Sequence, residues 1–318
     1  MTDYTDLLDA ETWAFVERTN SFYPPDTIDY TIAEQREIYD RMCREFHAGY
    51  PDGLVTETTA IPTPTHDIPI RIYRAAQPDA AAMVLYFHGG GFMLGGLESH
   101  DDVCAEICQR TGFEVVSVDY RLSPEHLYPA CHDDGYAAFE WAAKTYAGRA
   151  IVLAGDSAGG NIAAAVAGRY RRHAHAPAGQ VLIYPGLGGD HRKGSYVTHA
   201  DAPLLSIRDM AFYQKIRTGG ADVSKDAGFA PLRDTDFSGL PPTVCITAEC
   251  DPLSSDGPAY RDAIRAAGGK AVSVEEKGLV HGYLRARHTV GRARKSFARI
   301  VAAVRMLGLG HWNEDSLA

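Results

Sequence analysis

Four groups of residues in this sequence have the types and spacing for acyl transfer through a serine. Gly155-Asp156-Ser157-Ala158-Gly159 fits the pattern G-x-S-x-G. With 31 glycines in 318 residues the pattern alone says little, but its neighbours say more. Residues 151–154 read as a buried strand and 161–170 as an alanine-rich helix. Ser157 is therefore predicted to stand on a sharp strand-to-helix turn, where only small neighbours leave room for a strained backbone. Such a turn lifts the hydroxyl clear of the sheet, at the positive end of the following helix. The bland alternative is a glycine-rich turn with no chemistry.

His88-Gly89-Gly90-Gly91-Phe92 follows the apolar run 83–87. Three glycines leave backbone N–H groups unshielded and able to point at a developing oxyanion. A phosphate-cradling loop is the competing reading. It fails because no Lys-Ser or Lys-Thr follows, and Leu94 stands where G-x-G-x-x-G needs its last glycine.

A serine nucleophile needs a base, and the base needs an orienting acid. His281 follows the last strand-like run and precedes the last helical one, which puts it at the carboxyl edge of a sheet. His173, His175 and His191 lie in polar stretches and are expected to be exposed. Asp251 comes just after the run 244–248 and is followed by Pro252, which stops a strand from continuing. Its rivals are Glu249, nearer the strand body, and Asp256, whose place at the next helix start suits a cap or first-turn role.

The elements that must position these groups are legible as alternation. Strand-like runs stand at 55–60, 68–74, 83–87, 114–119, 150–154, 180–184, 244–248 and 271–275. Helix-length segments such as 133–146, 160–173, 258–267 and 290–307 separate the later ones. This predicts an α/β fold, a mostly parallel sheet covered by helices, with antiparallel pairing among the first strands. Ser157, Asp251 and His281 then fall in the chain order of an α/β-hydrolase. Two regions break the alternation. Residues 1–50 hold helical patterns at 6–18 and 32–47, split by Tyr23-Pro24-Pro25-Asp26. The interval 187–236 holds one at 206–217, and so long an excursion suits a lid or binding element. Leu7, Leu8, Trp13, Phe15 and Val16 make the first pattern amphipathic. It and 206–217 are expected to roof the cleft above Ser157, with Phe212 and Tyr213 near the acyl site.

Composition narrows the partners. The formal net charge is −10, which disfavours nucleic acid. The run Arg169, Arg171, Arg172 reads as a solvated helix end. No segment is apolar for long enough to insert stably in a membrane. Residues 1–9 carry three acids and no base, unlike a secretory signal, so a cytoplasmic location is expected. Most of the six cysteines read as buried free thiols. Cys104 and Cys108 lie one helical turn apart, but nothing nearby completes a metal site.

The motifs together resemble the hormone-sensitive-lipase-like esterases, bacterial family IV. They are His88-Gly89-Gly90-Gly91-Phe92, Asp119-Tyr120-Arg121-Leu122-Ser123-Pro124-Glu125-His126, Gly155 to Gly160, Asp251-Pro252-Leu253 and His281-Gly282-Tyr283. The likeness runs from about Leu54 to the C-terminus. It departs at Ser123, usually alanine, and at Ser254, often charged. It implies an α/β-hydrolase fold with an eight-stranded sheet. Residues 1–50 and the insertion 187–236 would form a helical cap on the catalytic domain 51–318. It implies a carboxylesterase for short to medium acyl esters, without cofactor or metal, in some members dimeric. Ser157, His281 and Asp251 would be the triad. The N–H groups of Gly90, Gly91 and Ala158 would form the oxyanion hole, on the loop begun by His88 and Gly89. Arg121 and Glu125 are expected to be structural. An amidase or formamidase would use the same triad. A ligand-binding receptor on a disabled hydrolase scaffold is the alternative of a different class, and the presence of His281 argues against it.

Overall fold

The structure, a computed structural model, describes residues 2–24, 27–223 and 225–317. Residues 25 and 26 of the expected helix breaker lie outside them. The strands are β1 (Val55–Pro62), β2 (Asp67–Arg74), β3 (Ala82–Phe87), β4 (Glu114–Val118), β5 (Ala150–Asp156), β6 (Gly179–Ile183), β7 (Thr243–Cys250) and β8 (Ala271–Val280). They form one sheet in the order β1-β2-β4-β3-β5-β6-β7-β8. The β1–β2 and β2–β4 pairs are antiparallel and the rest parallel. The helices are α1 (Ala10–Asn20), α2 (Ile32–Glu45), α3 (Asp101–Thr111), α4 (Ala130–Thr145), α5 (Ala158–Tyr170), α6 (Ser195–Thr198), α7 (Ile207–Thr218), α8 (Asp256–Ala266) and α9 (Gly291–Gly308). None among the described residues is long and apolar enough to cross a membrane.

The strands alternate in space as a pleat requires. Val84 and Tyr86 of β3 join the core beneath α3 and α9. Met83, Leu85 and Phe87 join the core beneath α4, α5 and α8. Both faces are covered, which is why the parallel strands read as continuous apolar runs. From β3 the chain moves to β4 on one side, then returns to β5 on the other. The crevice at the carboxyl ends of β3 and β5 is thus the place where such sheets bind ligands.

Local chemistry sets several helix starts. Asp9 accepts a hydrogen bond from Thr12 N at 2.9 Å, so α1 begins at Ala10 and not at residue 6. Thr31 with Glu34, and Ser206 with Asp209, form reciprocal capping boxes that open α2 and α7. In the basic run at the end of α5, Arg169 and Arg172 are exposed as expected, and only Arg171 departs from a solvated end. Arg171 is largely buried and pairs with Asp234 at 2.7 Å, Arg172 pairs with Asp236 at 2.7 Å, and Arg169 lies over the Tyr136 ring. These pairs fasten the far end of the β6–β7 interval to the helix.

Candidate active site

Ser157 joins β5 to α5 at φ 53° and ψ −115°. A non-glycine residue held there costs about 1–3 kcal/mol. The surroundings enforce it: Ser157 N donates to Ile183 O at 2.9 Å, and Asn161 N donates to Ser157 O at 3.2 Å. The flanking glycines are steric necessities. A Cβ on Gly159 would stand 1.9 Å from Phe87 O, and one on Gly155 2.5 Å from Gly159.

Ser157 Oγ lies 2.9 Å from His281 Nε2, and His281 Nδ1 lies 2.7 Å from Asp251 Oδ2. Asp251 is fully buried, and its Oδ1 accepts from Leu253 N at 2.9 Å. Both carboxylate oxygens are therefore aimed. An acceptor at Nδ1 keeps the imidazole proton there and leaves Nε2 able to accept from the serine. The Tyr184 ring packs edge-on against the imidazole at 4.8 Å.

The rival acids have other partners. Glu249 accepts from Gly278 N at 2.7 Å and pairs with Lys277 at 3.0 Å. Asp256 is the first residue of α8, as its position suggests, but it caps nothing. Its buried carboxyl accepts from Leu187 N at 2.7 Å and Tyr196 OH at 2.9 Å, tying down the start of the β6–β7 interval. Burial pushes its pKa up to about 7.

The glycine loop is pinned by the elbow itself. Asp156 Oδ1 accepts from Gly89 N at 3.0 Å and Tyr86 OH at 2.8 Å, and Oδ2 lies 3.1 Å from His100 Nε2. Burial opposes ionisation of Asp156. The His100 imidazole and the Tyr86 hydroxyl outweigh it and hold the carboxyl well below the usual range. Asp156 occupies an x of G-x-S-x-G, so the pattern assigns it no role, and His100 has no sequence signal at all. Because Gly89 N is taken, Gly90 and Gly91 are left as donors. Among the described residues neither N–H is engaged. Ala158 N is a first-turn donor of α5. The loop tolerates no side chains: a Cβ on Gly90 would stand 2.2 Å from Leu94 O, and one on Gly91 2.8 Å from the Tyr213 ring.

His88 is buried against Tyr120, with ring centres 4.3 Å apart, and its Nδ1 lies 2.8 Å from Gly89 O. Burial, with His100 nearby, pushes its pKa down from 6.5 to about 4. The unfolded chain therefore takes up this proton first on acidification. The stability contributed is complete above pH 6.5 and is lost as the pH falls toward 4. Urea midpoints should fall across that window, and His88→Phe should have the shallower slope. Equal slopes would remove His88 as the cause.

Ser157 and His281 open into a cavity of about 620 Å³. Phe15 and Thr19 of α1, Tyr39 and Met42 of α2, and Phe212 and Tyr213 of α7 line it. Phe212 and Tyr213 thus share a cavity with Ser157. Leu8, just before α1, and Val16 within it belong to the core beneath α3 and α9, while Phe15 of α1 faces core and cavity together. His173 and His175 are exposed as expected, and so is His191, which also stacks on Tyr196 at the cavity rim. Arg121 pairs with Asp134, and Glu125 with Arg36. All six cysteines are buried free thiols.

A family model described as alpha/beta hydrolase fold matches residues 84–285. Among curated proteins, esterase LipI of Mycobacterium tuberculosis is 39% identical over 78% of this chain and 81% of its own. Carboxylesterase NlhH of the same species is 38% identical over 87% and 91%. Among solved structures, a hyperthermophilic esterase from the archaeon Pyrobaculum calidifontis superposes with a TM-score of 0.88. It is 32% identical and is covered over 99% of its chain, against 95% of this one. A thermostable esterase from Pseudomonas putida gives 0.87 at 27% identity, over 98% of this chain and 99% of that one.

Proposed function

Since the chain belongs to the hormone-sensitive-lipase-like, bacterial family IV, carboxylesterases of the α/β-hydrolase superfamily, we propose that it hydrolyses short to medium acyl esters through Ser157, His281 and Asp251. The observation that carries this reading is the unbroken chain from Ser157 Oγ to His281 to Asp251, at 2.9 and 2.7 Å, facing the cavity.

Neutral His281 takes the Ser157 proton at Nε2 as Oγ attacks the ester carbonyl. Asp251 holds the tautomer and stabilises the imidazolium. The N–H groups of Gly90, Gly91 and Ala158 receive the oxyanion, each donor being worth about 3–4 kcal/mol. His281 then hands its proton to the departing alkoxide, which leaves as the alcohol while the acyl group stays on Ser157 Oγ as an ester. Water, deprotonated by the same nitrogen, releases the acid and restores the serine. Residues 1–50 and the insertion 187–236 act as a cap on the catalytic domain 51–318, a division supported by the walls they lend the cavity. A cytoplasmic location fits the unpaired cysteines. A homodimer would pair through β8, the strand at the sheet edge.

The test is a series of p-nitrophenyl esters from acetate to laurate, run beside aryl amides and a fluorophosphonate label. Rates should peak between acetate and hexanoate, with label on Ser157. Faster aryl-amide turnover would make it an amidase. Neither turnover nor label would leave a binding protein.

A further inference from the structure

Arg217, in the last turn of α7, is a buried charge with no counter-charge among the described residues. It is 4% exposed and lines the cavity that Ser157 opens into. Among the described residues no carboxylate pairs with it and Nε has no hydrogen-bond partner. Nη2 donates to Asn161 Oδ1 at 3.2 Å and lies 3.3 Å from His132 Nε2. That ring nitrogen offers no acceptor. Asn161 Nδ2 donates to Gly186 O and Phe229 O, so Oδ1 is the atom facing His132, whose Nε2 reaches it at 3.0 Å as a donor. Burial and the guanidinium both hold His132 neutral.

Nearby carboxylates are already engaged: Asp226 accepts from Tyr128 OH at 2.8 Å, and Asp134 holds Arg121 and His66. The guanidinium sits 3.5 Å from the centre of the Phe92 ring and 4.0 Å from that of Phe229. Aromatic faces hold a cation without neutralising it. Burial lowers the pKa to about 10, which still leaves the group charged at neutral pH. A buried, unpaired charge is unfavourable unless a partner arrives. Here it faces the substrate cavity.

Its place relative to Ser157 says which half of a substrate brings the partner. Asn161 lies one turn along α5 from Ser157, a rise of about 6 Å, and Arg217 lies beyond Asn161, on Phe92 of the oxyanion loop. His281 approaches Ser157 from β8, and it must protonate the departing alcohol. An ester that points its alcohol to His281 can lay its acyl chain along the cavity wall that Arg217 lines.

We propose that Arg217 binds a carboxylate at the far end of the acyl chain, so that preferred substrates are monoesters of dicarboxylic acids. This rests on the ester-hydrolase reading above. The test compares monoethyl succinate, glutarate and adipate with the neutral ethyl esters of equal carbon number, by pH-stat near neutrality. At one length or more, wild-type kcat/KM should favour the charged ester by about tenfold or more, chiefly through KM. In Arg217→Met that ratio should fall at least about tenfold. Arg217→Lys, with charge but no planar fork, should keep part of it. A wild-type ratio below one at every length, or a ratio untouched by Arg217→Met, overturns the proposal. So does a stronger preference for the acetate ester of glycolate, whose carboxylate sits in the alcohol half. If Arg217→Met does not fold, inhibition of the wild type decides: glutarate should bind more tightly than glutaramide, and equal binding overturns the proposal. Failure to hydrolyse even the neutral esters would instead defeat the ester-hydrolase reading.

Discussion

Ser157→Ala is expected to fold like the wild type and to hydrolyse p-nitrophenyl butyrate at less than about a thousandth of the wild-type rate. The folding half follows from what Oγ touches. Its hydrogen bond is to His281, and the turn is held by backbone bonds to Ile183 and Asn161 that alanine keeps. Alanine is no more strained than serine at φ 53°, and the clearances at Gly155 and Gly159 do not change. The activity half follows from what remains. Gly90, Gly91 and Ala158 could still hold an oxyanion, and His281 could still activate water, but no covalent intermediate could form. Such remnants support only weak catalysis. Thermal melting checks the fold, and a fluorophosphonate should no longer label the protein. A variant keeping more than about a tenth of the rate would end the case for Ser157 as nucleophile.

Much of the scaffold was readable because its signals are local. The central strands β3 to β7 are short apolar runs, and each of the eight strands begins within a few residues of its expected place. The elbow, the glycine loop, Asp251 and His281 share one sheet edge because each directly follows a strand. What stayed illegible depends on partners far along the chain. Helix α3 shows why. Asp101, Asp102 and most of its other residues are buried, so it lacks the polar face that marks an amphipathic helix. Its acids are tolerable inside because Arg71, Tyr73 and Arg287 reach them from elsewhere. Asp156 likewise acquires its role only when β3 lies beside β5 and brings Tyr86 and Gly89 to it. Arg171 read as solvated because its partner Asp234 lies more than sixty residues away. Arg217 carries no sequence signal of its own, because cations are common in the last turn of a helix, where they suit the helix dipole.

Asp251→Asn should lower kcat by about 10³–10⁴ while Glu249→Gln and Asp256→Asn each cost less than about tenfold. The asymmetry lies in the second oxygen of Asp251. Oδ1 accepts from Leu253 N while Oδ2 faces His281 Nδ1. An asparagine that keeps its oxygen toward Leu253 turns an NH₂ donor toward Nδ1. The imidazole proton then moves to Nε2, where it faces Ser157 and blocks transfer from the hydroxyl. The flipped asparagine restores the tautomer only by setting its NH₂ against Leu253 N. Either way the imidazolium loses its buried counter-charge. Glu249→Gln retains an acceptor for Gly278 N and loses an exposed pairing with Lys277, which is worth little. Asp256→Asn disturbs the hold on Leu187 and Tyr196, so its effect belongs to stability and to the shape of the cavity wall. Single-turnover rates at matched folded fraction separate these outcomes. If Asp256→Asn proved the most damaging of the three to the chemical step, the orienting acid would have to be sought at the start of α8.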